Sequence, residues 1–206
     1  MLRNLLAPPL CWSCGAPAPR GAPLCRACRG ALRFLAPEPI ALSGVAVWAP
    51  VAYEGPARDL VKALKFHGAA LVAQAMAALI AANAPARLLA SAGALVPVPL
   101  HPARRRRRGF NQAEALAAAL GPRAGAPVRD CLRRAGADRR QVGRGRAARL
   151  AGPAGSIRAA APAPAGALLV DDVVTTGATL AACAAALRGA GAEPIAAVAF
   201  ARTTGR

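Results

Sequence analysis

Leu168-Leu169-Val170-Asp171-Asp172-Val173-Val174-Thr175-Thr176-Gly177-Ala178-Thr179 decides how this chain folds. With Ala167 it begins as an uninterrupted apolar stretch, the pattern of a parallel strand buried on both faces. Two carboxylates close that stretch at its carboxyl end, where open α/β sheets place their ligands. A turn of threonines and glycine follows, and then Leu180, Cys183, Ala184 and Leu187 recur at helical spacing. The spacing predicts a strand over 167–171, a loop over 172–177 and a helix over 177–189. Gly191 ends the helix, and Ile195 to Ala201 reads as the next strand. Such a βαβ unit requires a parallel sheet in an α/β domain.

The turn suits a phosphate monoester. Free backbone N–H groups and the dipole at a helix start favour an anion. Gly177 permits close backbone approach, and Thr175, Thr176 and Thr179 add hydroxyl donors. Two aspartates beside such a site would repel a bare phosphate. They make sense if the ligand also presents hydroxyls, because an ionised carboxylate only accepts hydrogen bonds. A sugar phosphate supplies both kinds of group. The acids could also stabilise positive charge developing on a ribose ring during displacement. An apolar strand ending in acids also fits a nucleotide-hydrolase metal site, but the chain contains no G-x-x-x-x-G-K-[ST], and no dinucleotide fingerprint precedes the helix.

Outward from this unit, Val45 to Tyr53 is an apolar, strand-like run, and Leu60, Val61, Leu64 and Lys65 fall at helical spacing. A longer Ala-rich helix is expected from Ala69 to Asn83. Leu95 to Leu100 reads as a short strand opened by Pro97 and Pro99. The arginine run Arg104 to Arg108 follows, then Gly109-Phe110-Asn111-Gln112 and a helix to about Leu120. Residues 132–150 are rich in Arg and Gly and read as a long, flexible surface loop. Pro37-Glu38-Pro39 reads as a linker, dividing a module at 1–36 from a main domain at 37–206.

The first module carries Cys11-x-x-Cys14 and Cys25-x-x-Cys28. Paired hooks of this kind are the ligand geometry of a tetrahedral structural zinc. A redox dithiol is the alternative, but such pairs come singly on a thioredoxin-like βα turn, and none is evident. So short a segment cannot fold on buried area alone, so metal binding would supply its folding energy. A closed four-cysteine site leaves no open position for catalysis. Cys131 and Cys183 sit in apolar elements and read as buried structural residues.

The chain has a formal charge of +18 over 206 residues and is 55% hydrophobic, though only 3% aromatic. Lys62 and Lys65 are the only lysines among 27 basic residues. The excess of Ala, Gly, Pro and Arg suggests a GC-rich coding bias, so Arg in place of Lys carries little chemical meaning by itself. The charge is concentrated at 104–149, where 14 arginines face Glu114, Asp130 and Asp138. A protein this basic is drawn to nucleic acid, phosphorylated metabolites or anionic lipid. Arg104 to Arg108 fits pyrophosphate, nucleic-acid phosphates or a solvated face. Aromatic residues are too few for a base-stacking platform, so nucleic-acid binding would be electrostatic. No stretch approaches a membrane span, and the N-terminal apolar run is too short for a secretory signal. A cytoplasmic protein with reduced cysteines is the expectation.

The signature stretch resembles the phosphoribosyl pyrophosphate motif of type I phosphoribosyltransferases. The wider layout resembles the ComF competence family: four cysteines, Leu64-Lys65-Phe66, Val96-Pro97-Val98-Pro99-Leu100, Arg108-Gly109-Phe110-Asn111-Gln112, then the signature. That resemblance implies a phosphoribosyltransferase fold, a mostly parallel sheet flanked by helices, behind a zinc ribbon. It gives ribose hydroxyls to Asp171 and Asp172, and the 5′-phosphate to Val174, Thr175, Thr176, Gly177, Ala178 and Thr179. It places pyrophosphate at about Pro99 to Ala103, with Leu100, His101, Arg104 and Arg108 as contacts. Magnesium would bridge pyrophosphate and ribose oxygens. The loop around Arg133 to Arg149, with Gln141-Val142-Gly143 and Arg149, would form a flap. The implied partners are phosphoribosyl pyrophosphate or a related sugar phosphate, single-stranded DNA, and a competence helicase or other DNA-uptake protein. Two functions follow: an enzyme transferring a phosphoribosyl group to a nitrogen nucleophile, or a non-catalytic binding protein of the same fold acting in DNA uptake.

Overall fold

A computed structural model describes residues 9–67, 70–134 and 157–205. Its centre is a six-stranded, mostly parallel sheet. The core strands are β1 (Ile40–Leu42), β2 (Val45–Trp48), β3 (Val51–Ala52), β4 (Ala94–Pro97), β7 (Ala167–Val174) and β8 (Ile195–Arg202). Their order is β1-β2-β8-β7-β4, with β3 continuing beside β8. Only β1 runs antiparallel to its neighbour. This is the α/β class expected of the sequence.

The continuous apolar run from Ala167 to Val170 forms the inner strand β7, flanked by β4 and β8. Its side chains alternate between two cores. Leu168 and Val170 face α2 (Gly55–His67), α3 (Ala70–Asn83) and α6 (Gln112–Ala124), where Leu60, Leu64, Met76, Ile80, Leu116 and Leu120 are fully buried. Ala167 and Leu169 face the last helix, α7 (Ala178–Gly189), with Leu180, Cys183 and Leu187.

Several boundaries differ from the sequence expectation. Strand β7 continues to Val174, because Val173 and Val174 pair with Ala201 and Arg202, so the loop shortens to 175–177. The strand-like run at 45–53 is split at Ala49-Pro50 into β2 and β3, both paired with β8; proline offers no N–H to the ladder. The arginine run is helical, forming α5 (Pro102–Arg108) with proline at its start. A short helix, α4 (Ala86–Ala90), and strand β1 were not anticipated. Residues 132–134, expected in the long loop, form β5 (Leu132–Arg134), antiparallel to β6 (Ile157–Ala159). The remainder of that loop, with Gln141-Val142-Gly143 and Arg149, lies outside the described residues.

The cysteine segment packs on the main domain. Cys11, Leu24, Cys25 and Leu32 share a core with Leu60, Leu64 and Met76. Ser13 Oγ donates to Asp59 Oδ2 of α2 at 2.8 Å. No helix among the described residues is long and apolar enough to cross a membrane.

Candidate functional site

The carboxyl ends of β4 and β7 lie side by side, tied by Val98 N–H donating to the Val170 carbonyl at 3.0 Å. After β7 the chain turns through Thr175 and Thr176, both exposed, to Gly177, which is buried. Gly177 has φ +79° and opens α7. A Cβ there would meet Leu42 Cβ at 2.8 Å, so the β1–β2 turn leaves room only for glycine. The same turn supports the loop through Ser43 Oγ, which donates to the Thr176 carbonyl at 3.0 Å. The N–H groups of Thr175, Thr176 and Gly177 find no acceptor among the described residues. The result is a hollow of about 50 Å³ lined by Asp171, Val173 to Leu180 and these donors. Amides at a helix start around so small a space fit a compact anion.

Beside the hollow lies a cleft of about 190 Å³, lined by Lys65, Val98 to Leu100, Arg104, Arg108, Gln112, Arg134, Asp171 to Val173 and Thr179. The two spaces meet at Asp171, Val173 and Thr179. Residues distant in sequence therefore share one wall: the signature acids, Leu100 from the turn after β4, and Arg104 and Arg108 from α5. His101 is not part of that lining. It caps α5, its Nδ1 accepting from Ala103 N–H at 3.2 Å.

The two acids have different surroundings. Asp171 Oδ1 accepts from the Asp172 N–H at 2.8 Å. Burial and the neighbouring Asp172 charge hold the Asp171 carboxyl well above the usual carboxylate range, while Lys65 opposes that rise. Asp172 is buried, its side chain 4% exposed, and pairs with Lys65 Nζ at 2.9 Å. Sequence reasoning assigned Lys65 no role. The signal available was its identity: one of two lysines in a chain that otherwise uses arginine.

The stretch Arg108 to Gln112 has a local physical logic. Gly109 adopts the left-handed conformation that terminates α5. Asn111 caps α6, accepting from Ala113 N–H at 3.0 Å and donating to the Val98 carbonyl at 3.0 Å. Gln112 Oε1 receives Arg108 at 3.0 Å, and the guanidinium lies over the exposed ring of Phe66, 5.8 Å from its centroid. Burial lowers the Arg108 pKa from its ordinary value. The Nε atoms of Arg108 and Arg134 are buried with no hydrogen-bond partner among the described residues. Both arginines also line the cleft, and cations there favour an anionic ligand.

A second cluster gathers Cys11, Cys14, Cys25 and Cys28, whose sulfurs all lie within 4.8 Å of one another. Cys14 and Cys25 Sγ are 3.7 Å apart, close to the spacing of about 3.8 Å that tetrahedral Zn–S bonds of about 2.3 Å require. Cys25 begins α1 (Arg26–Gly30), its sulfur accepting from Cys28 N–H at 3.5 Å. Burial raises the Cys11 thiol, but N–H groups from Cys14, Cys25 and Ser13 outweigh it and bring it to about 6. Burial and the neighbouring cysteines push Cys28 up to about 12. The cluster therefore resists carrying four thiolates unless a cation joins it, and a dication such as zinc fits. Cys131 and Cys183 are buried in the second core, and burial raises both thiols.

No protein-family model matches the chain, and no curated protein matches it. Among solved structures, one described as the allosteric regulatory enzyme of purine biosynthesis is similar over 62% of this chain at 18% identity and a TM-score of 0.38. This chain covers 26% of that structure's length.

Proposed function

We propose that this chain binds phosphoribosyl pyrophosphate with magnesium and transfers its phosphoribosyl group to a nitrogen nucleophile, releasing pyrophosphate. The observation that carries this reading is adjacency: an amide-lined hollow opens at Asp171 and Thr179 into a cleft bearing two acids and a set of cations. The 5′-phosphate goes to the loop from Val174 to Thr179, and the ribose hydroxyls to the acid pair. Pyrophosphate lies toward Leu100, Arg104 and Arg108, with His101 holding the start of α5. The C1–O bond breaks with its electrons leaving on pyrophosphate, and the nitrogen lone pair forms the new bond and then loses its proton. Magnesium entering with the ligand would supply positive charge to offset that on the departing pyrophosphate, beside Arg104 and Arg108. The carboxylates stabilise positive charge on the ribose ring as the bond lengthens.

The resemblance to the ComF family supports assigning this chemistry to a cytoplasmic protein serving DNA uptake and transformation. A second reading keeps the fold and the pocket without turnover, the protein binding single-stranded DNA or a competence-machinery partner. The exposed arginines of α5 favour it. Screening nitrogenous bases and amines for phosphoribosyl pyrophosphate-dependent pyrophosphate release separates the two. Release that disappears in Asp171→Asn supports the enzyme; ligand binding without release by any acceptor supports the binding protein.

A further inference from the structure

The acid pair is unequal, and Lys65 is the reason. The Asp172 side chain is 4% exposed and that of Lys65 is 23% exposed. Both line the cleft, so at this point the group accessible to a ligand is the ammonium more than the carboxylate behind it. An ammonium has three donors. The ammonium stands 2.9 Å from Asp172 Oδ2 as an ion pair without hydrogen-bond geometry, Oδ2 having no hydrogen-bond partner among the described residues, and no other partner for Nζ is found among them. Arg104, Arg108 and Arg134 line the same cleft, and the Nε atoms of the last two are buried with no hydrogen-bond partner among the described residues.

We propose that Lys65 is a ligand-binding residue, an ammonium anchored by Asp172 that grips the second anionic group of a doubly phosphorylated sugar. This narrows the acid-pair assignment above: Asp171 serves the sugar hydroxyls, and Asp172 acts as a positioning residue through Lys65. The proposal rests on the phosphoribosyl pyrophosphate reading and adds to it Lys65 as a contact at the pyrophosphate end. A lysine suits this place because a compact point charge fits between a buried carboxylate and a ligand, where a planar guanidinium needs more room.

The test is calorimetric titration of the full-length, zinc-replete protein with magnesium pyrophosphate, ribose 5-phosphate and phosphoribosyl pyrophosphate. Lys65→Met is expected to weaken pyrophosphate and phosphoribosyl pyrophosphate at least tenfold while changing ribose 5-phosphate less than threefold. A residue that merely supports the fold would weaken all three alike. Asp172→Asn added to Lys65→Met should cost no further affinity, whereas Asp171→Asn added to Lys65→Met should. Unchanged pyrophosphate binding in Lys65→Met, or equal losses for all three ligands, overturns the proposal. If Lys65→Met does not fold, Lys65→Gln carries the same comparison. Thr175→Val with Thr176→Val separates the two claims, since it tests the sugar-phosphate hollow through ribose 5-phosphate and leaves pyrophosphate binding to report on Lys65.

Discussion

Lys65 Nζ stands 2.9 Å from Asp172 Oδ2, joining α2 to the carboxyl end of β7 across the cleft. Removing one member of a buried pair leaves an uncompensated charge, which typically costs roughly 3–5 kcal/mol. Lys65 retains some solvent contact, so Lys65→Met should destabilise by less, about 2 kcal/mol. Lys65→Met with Asp172→Asn removes both charges and should recover most of that loss. Urea unfolding of the four proteins in this cycle measures it, and additive losses would mean the pair is not coupled.

Asp171 carries a cost of a different sign. Its folded pKa lies well above the unfolded value, with burial as the largest cause and the Asp172 charge next. The native state therefore holds more protons than the unfolded chain between those two pKa values, and stability falls as pH rises through that window. Below the unfolded value, about 3.9, the contribution is fully present. Asp171→Asn keeps the neutral form at every pH, so its melting temperature should exceed wild type at pH 7.5 and approach it as pH falls. The same variant should lose phosphoribosyl pyrophosphate binding. Thermal melts across pH 4.5–8 check this; a variant less stable than wild type at pH 7.5 would contradict it.

Gly177→Ala combines a left-handed backbone with a methyl group aimed at Leu42. The backbone term alone is about 1–2 kcal/mol. The loop must also move away from the β1–β2 turn, which spoils the amide cradle. A loss of at least about 1 kcal/mol in stability and of ribose 5-phosphate binding is expected, read by denaturant unfolding and calorimetry.

Metal removal should act through α2. Structural zinc in small modules supplies on the order of 10 kcal/mol of folding energy. The cysteine segment shares its core with Leu60 and Leu64 and holds Asp59 through Ser13. Freshly prepared, reduced protein should contain one zinc per chain. Chelation should release hydrogen-exchange protection over residues 9–30 and then over the first turns of α2, while β7 and β8 stay protected. Metal analysis finding no zinc would end this account of the cysteines.

Single-stranded DNA, if it binds, should do so through phosphate contacts. Affinity should fall steeply between 50 and 200 mM salt, by about a thousandfold for six contacts. It should also drop in a variant replacing Arg105, Arg106 and Arg107 with Ser, which spares the cleft arginines. Fluorescence anisotropy at several salt concentrations reads both effects, and salt-independent binding would exclude the electrostatic mode.

Much of this architecture was legible locally. An apolar run closed by Asp171 and Asp172 specifies a buried parallel strand with a ligand end, and four cysteines at hook spacing specify a cluster. Strand β1 was not legible, because Ile40-Ala41-Leu42 is too short to show a period and is held by pairing with β2. The strand at 132–134 was hidden by its arginines, which offer no apolar alternation; its partner at 157–159 lies more than twenty residues away. Lys65 was missed because its rarity as a lysine names no partner, and the acid it pairs with lies across the cleft on a distant strand. Its neighbours Leu64 and Phe66 announce only an amphipathic turn. The inequality of the two acids depends on which face of β7 each side chain takes, and on what helix covers it.

Calorimetric titration of the wild-type protein with phosphoribosyl pyrophosphate and magnesium tests the central claim most directly. The account predicts saturable binding at one site per chain, strongly weakened when Thr175 and Thr176 are both replaced by Val. Heat no greater than dilution, or binding that survives those replacements unchanged, would contradict it.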